Sequence, residues 1–171
     1  MLTDVVIEVD GERIRVSSKV MSLASPVFKV MFTSGFKESL TSRGTASDSS
    51  SISLPDDDPV AFLYLSKVVH FQDPKPPNNV DIVFFENLAL LYDEYQCTAR
   101  IASCVQAPLE KLAVSAPIDD LYKIILVACL LDAPHLCSST SWKILVAQEG
   151  PFLAAPETMN HPRIPVFLLS E

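Results

Sequence analysis

Residues 4–16 read Asp4-Val5-Val6-Ile7-Glu8-Val9-Asp10-Gly11-Glu12-Arg13-Ile14-Arg15-Val16. Two runs rich in β-branched residues flank the dipeptide Asp10-Gly11. Both central positions of a type I′ turn need positive φ, and Asp-Gly adopts that at low cost. A two-residue turn fixes the register of the strands on either side. Ile7 is therefore expected opposite Ile14, and Val5 opposite Val16, on one side of a hairpin. Glu8 is expected opposite Arg13 on the other, an opposite-charge cross-strand pair.

Beyond the hairpin the pattern turns helical. A short helix is expected at 19–24, and Ser25-Pro26 opens a second. Ser25 can accept from free N–H groups, and Pro26 suits the first helical position. Val27, Phe28, Met31 and Phe32 form its apolar stripe, with Gly35 as terminator. The stretch 40–51 is rich in Ser, Thr and Gly and reads as a loop. A short strand at 51–54, with Ile52 and Leu54 on one face, is expected to join the hairpin sheet.

Asp56-Asp57-Asp58-Pro59 reads as a helix start, with Asp58 as N-cap and Pro59 next; the acidic run complements the helix dipole. A divalent metal would need further oxygen ligands at set spacing, and none follows. Phe62, Leu65 and Val69 line the buried face. Three prolines at 74, 76 and 77 make the following segment a loop. A helix at 80–95 carries Phe84, Leu88, Leu91 and Tyr95 at helical spacing. Another at 98–106 places Ile101 and Val105 inward, and Pro108 marks its end or a kink. A helix at 117–132 carries Leu121, Ile124, Ile125 and Ala128, with Asp119 and Asp120 in its first turn. A weaker one at 136–146 is expected to pack Trp142 on its neighbours. The prolines after Gly150 suggest a loosely ordered tail.

The chain has 171 residues, 49% of them hydrophobic, and a formal charge of -8. That length suits one domain, or one domain with a helical extension. The acidic balance argues against nucleic acid and against an anionic membrane surface. No apolar run approaches the length of a membrane span. The N-terminus shows no secretory leader, so a cytoplasmic or nuclear location is expected. Cys97, Cys104, Cys129 and Cys137 form no CxxC pair and have no His at ligand spacing; buried reduced thiols are expected.

Catalytic patterns are missing. There is no G-x-S-x-G elbow, P-loop or GxGxxG, and four glycines leave little material for a phosphate cradle. His70, His135 and His161 read as surface residues, and Glu86, Asp93 and Glu94 as the solvated face of their helix. The chain is therefore expected to be no enzyme and to need no cofactor or metal. An unrecognised hydrolase is the remote alternative.

The segment Asp4 to Gly11 resembles the opening hairpin of BTB/POZ domains. Val16-Ser17-Ser18-Lys19-Val20-Met21-Ser22-Leu23-Ala24-Ser25-Pro26-Val27-Phe28 resembles the family's signature, continued by Met31-Phe32-Thr33-Ser34-Gly35-Phe36-Lys37-Glu38. The resemblance resumes at Asp56-Asp57-Asp58-Pro59-Val60-Ala61-Phe62 and runs through Leu88 to Cys97. It implies an α+β fold with a small N-terminal β-sheet flanked by a helical bundle. A BTB/POZ domain is expected at 1–107, a helical extension at 108–149 like that of fungal-type members, and a Pro-rich tail at 150–171.

The resemblance also implies a protein-interaction module that pairs with itself or with another BTB protein. The candidate dimer residues are Leu2, Val5, Val20, Met21, Leu23 and Ala24; the alternative is that these are ordinary core. Phe36-Lys37-Glu38 fits the short motif of members that recruit a cullin, which makes Phe36 and Glu38 candidate contacts of a ubiquitin-ligase adaptor. Ser17 stands where many metazoan members have a His. Asp4 thus lacks the partner that helps form a charged co-repressor groove in transcription-factor members.

Overall fold

The computed structural model describes residues 4–33, 51–72, 80–97 and 100–147. Their elements run β1 (Val5–Val9), β2 (Glu12–Val16), α1 (Ser18–Ala24), α2 (Pro26–Thr33), β3 (Ser51–Leu54), α3 (Pro59–Val69), α4 (Ile82–Glu94), α5 (Arg100–Ser115), α6 (Ile118–Leu130) and α7 (Pro134–Ala147). The architecture is mixed α+β, with a small sheet and a larger helical part. Leu2, Gly35, Phe36, Glu38, most of the serine-rich stretch, the proline loop and the tail lie outside the described residues.

The turn sets the sheet. Asp10 and Gly11 hold φ of 43° and 83°, the positive pair that a type I′ turn requires. The register follows, with Val5 opposite Val16, Ile7 opposite Ile14 and Glu8 opposite Arg13. No ion pair forms between Glu8 and Arg13; Lys123–Glu86, at 3.8 Å, is the ion pair among the described residues. β3 joins β1 in parallel, with Ile52 beside Ile7, giving the order β2-β1-β3. Ile7, Val9 and Val16 send one face of the sheet into the core.

Several helices begin as their sequences dictate. Asp58 accepts from the Ala61 N–H at 2.7 Å and starts α3. Asp81 accepts from the Phe84 N–H at 3.1 Å and starts α4 two residues later than the periodicity predicts. Three helices, α3, α4 and α6, end without a glycine. Phe71, Gln96 and Asp132 follow α3, α4 and α6 with φ of 60°, 47° and 50°. Beyond them Gln72, Cys97 and Ala133 donate back to the carbonyls of Lys67, Tyr92 and Ala128, closing Schellman motifs.

The chain departs from expectation in its second half. α5 does not end at Pro108 but runs through it to Ser115. The proline removes one bond within the helix, and buried Val105, Leu109 and Ala113 hold the helix together across it. A single apolar cluster extends from Ile7 to Ile144, so residues past Pro108 share one core with the sheet. Trp142 is 67% exposed rather than packed, because α7 turns Leu136, Thr140 and Ile144 inward instead.

α2, α3 and α4 meet at an aromatic junction. Phe28 stacks on Tyr95 at 4.4 Å, and Phe62 meets both rings edge-on at 6.1 and 6.3 Å. Ser25 closes it: its Oγ accepts from the Phe28 N–H at 3.0 Å and donates to the Tyr95 carbonyl. Ser25→Ala removes the cap and leaves that buried carbonyl short of a donor. The expected loss is about 2 kcal/mol, read as a lower urea midpoint with unchanged slope.

Candidate interaction surface

α1 is short and cannot cap itself. Ser17 stands at the N-cap without a side-chain bond to the helix. Asp4, from ahead of β1, supplies the acceptor instead. Its Oδ1 takes the Ser18 N–H at 2.7 Å and its Oδ2 takes the Ser18 hydroxyl at 2.5 Å. The hydroxyl bond, with the backbone bond after it, holds the Asp4 carboxyl below its ordinary range.

The Ser17 N–H goes elsewhere, donating to His70 Nε2 at 2.9 Å. His70 Nδ1 lies 2.7 Å from the Ser66 carbonyl. The ring accepts at Nε2, so Nδ1 carries the proton and donates to Ser66. His70 is therefore not the surface residue its sequence position suggests. It is half-buried and joins the start of α1 to the end of α3. Its chemistry here is structural, since Ser17 is itself buried and its N–H needs an acceptor.

With its start fixed by these bonds, and Ser25 beyond its last turn tied to the Tyr95 carbonyl, the faces of α1 are set. Met21 is 0% exposed and lies in this protomer's own core, so it offers no surface to a partner. Leu23, two residues on and nearly opposite around the helix, is 85% exposed. Val20, three residues before Leu23, flanks it on the same side, whereas Ala24, one residue after, is turned about 100° from it and stands nearer Met21; both are half-buried and pack against the core. Val5 is half-buried as well. The sequence-predicted set thus separates into one core residue, Met21, one exposed residue, Leu23, and three half-buried residues, Val5, Val20 and Ala24, that pack against the core. Leu2, Phe36 and Glu38 lie outside the described residues, so the cullin motif stays a reading of sequence alone.

Groups with chemical potential elsewhere are engaged or quiet. The Tyr95 hydroxyl donates to Asp57 Oδ2 at 2.5 Å, and burial raises both the phenol and the carboxyl above their ordinary ranges. Glu86 and Asp93 are half-buried rather than solvated; Glu94 is exposed. Cys97 is buried, while Cys104, Cys129 and Cys137 are half-buried, less enclosed than their sequence pattern suggests. Burial pushes the Cys97 and Cys129 thiols up to about 12, so neither is a thiolate nucleophile at neutral pH. Among the described residues no three His, Cys, Asp or Glu side chains gather as metal ligands, and no helix is long and apolar enough to cross a membrane.

The family model of the BTB/POZ domain matches residues 1–112. No curated protein matches the chain.

His70→Ala strands the Ser17 N–H. The expected cost is about 1–3 kcal/mol, measured by urea unfolding. Asp4 gives a pH signature. Its folded-state pKa lies below the ordinary aspartate range, so its stabilising contribution is complete above that range and is lost as pH falls through the folded pKa. Asp4→Asn should unfold at lower urea than the wild type at pH 7, and the gap should narrow as pH falls below the ordinary aspartate range.

Proposed function

The chain belongs to the BTB/POZ domain family, and from that premise we propose that it is a self-associating interaction module whose twofold contact centres on Leu23 of α1. The observation that carries this reading is the exposure of Leu23 beside Val20 and Ala24. A leucine left in water forgoes about 2 kcal/mol that burial would return. In a twofold contact the same face of α1 meets itself, so each protomer buries its partner's leucine while its own is buried. Family resemblance favours the same place, since BTB domains pair through the N-terminal segment and first helix. Met21 supports α1 from beneath and takes no part in the contact. The partner is a second copy of this chain or another BTB protein. The module recruits and scaffolds, and it catalyses nothing.

Light scattering on the wild type should give twice the chain mass across a wide concentration range. Leu23→Asp should give a monomer with an unchanged circular dichroism spectrum. A wild type that stays monomeric at every concentration, or a Leu23→Asp chain that stays dimeric, would sink this reading.

A further inference from the structure

β2 is an edge strand of the sheet, with β1 on one side and no described strand on the other. The closing pair of a two-residue turn, Val9 and Glu12, exchanges hydrogen bonds across the hairpin. The alternation of an antiparallel ladder then leaves the backbone N–H and C=O groups of Arg13 and Arg15 directed away from β1. Along this edge runs a groove of about 740 Å³, walled by β2 on one side and α3 on the other. Four consecutive residues of β2, Glu12 to Arg15, line it, as befits a groove at a strand edge rather than on a sheet face.

The lining has two characters. Val60 and Leu63 of α3 are 50% and 39% exposed and form an apolar wall with Ile14. Arg13, Arg15 and Lys67 rim it, all exposed, and no described carboxylate pairs with any of them. Against these three cations the groove holds a single acid, Glu12. That local excess opposes the chain's net charge of -8. The acidic groups gather instead at a second groove lined by Asp10, Asp56, Asp57, Asp58 and Glu94.

We propose that this groove binds an extended acidic segment of a partner protein, which adds to the open edge of β2 as a further strand. Backbone bonds to Arg13 and Arg15 supply the pairing. Acidic side chains of the segment meet the cationic rim, and apolar side chains alternating with them rest on Val60 and Leu63. Arginines on an exposed edge repel basic strands, so the same residues that keep the edge from pairing at random select an acidic one. A long polyanion would meet repulsion from the rest of the surface, whereas a short segment stays within the rim. This inference does not rest on the α1 contact.

The test uses a fluorescein-labelled peptide of alternating glutamate and valine, read by anisotropy against the full chain. Saturable binding is expected, weakened about tenfold by Arg13→Glu with Arg15→Glu and by Lys67→Glu, and weakened by salt. Leu23→Asp should bind as the wild type does, which keeps this result separate from the dimer reading. Amide exchange should slow at Arg13 and Arg15 when the peptide is bound. Several results would overturn the proposal: no saturable binding, equal binding of a lysine–valine peptide, or peptide binding without slowed exchange at those amides. Equal binding of heparin would mark a general anion site instead. Assembly beyond a dimer that Arg13→Glu with Arg15→Glu abolishes would give the groove to a second copy.

Discussion

The rings of Phe28, Phe62 and Tyr95 hold the first part of this protein in one piece. Phe28 comes from α2, Phe62 from α3 and Tyr95 from the C-cap of α4. The contact works because polar groups close around it. Ser25 ties the start of α2 to the Tyr95 carbonyl, and Asp57, just ahead of α3, takes the Tyr95 hydroxyl. A buried tyrosine needs such a partner for its hydroxyl. The aromatic packing and the hydrogen bonds thus depend on each other, and loosening either frees α2 from α4.

That junction decides what α1 can do. α1 leads directly into α2 through Ser25, so the orientation of one constrains the other. Its first turn is held from outside, by Asp4 on one flank and by His70 through Ser17 on the other. A seven-residue helix has little stability of its own. Held at both ends, it can keep a leucine facing water, which a free helix of that length could not do reliably. The same His70 lines the groove between β2 and α3, so the structural support of α1 also forms part of the wall where the sheet remains open.

Much of the fold was legible in the sequence because its signals were local. The Asp10-Gly11 turn, the Ser25-Pro26 and Asp58-Pro59 helix starts, and the stripes of α3, α4 and α6 depend on near neighbours. The candidate surface was legible only in part. Val20, Met21, Leu23 and Ala24 are all apolar and adjacent, and composition groups them together. Helical spacing separates them, since Met21 and Leu23 lie about 200° apart around the axis. The role of His70 left no local trace, because its donor Ser17 is 53 positions away. Trp142 misled for a similar reason: an amphipathic pattern in α7 is weak, and its inward face was chosen by α6. The cations of the groove were visible as an alternating Arg13 and Arg15, yet nothing in the sequence placed Val60 and Leu63 beside them.

By itself the sequence determined the sheet register and the starts of α2 and α3, because turn chemistry and capping act over a few residues, and its motif segments carried the resemblance to the family. Tertiary structure decided which apolar side chains of α1 face outward, that α5 passes through Pro108, and that the second half shares one core with the first. It also brought the open edge of β2 against the exposed side of α3. Those outcomes depend on contacts between residues far apart in the chain, where the favourable packing of one element is fixed only after its neighbours have taken their places.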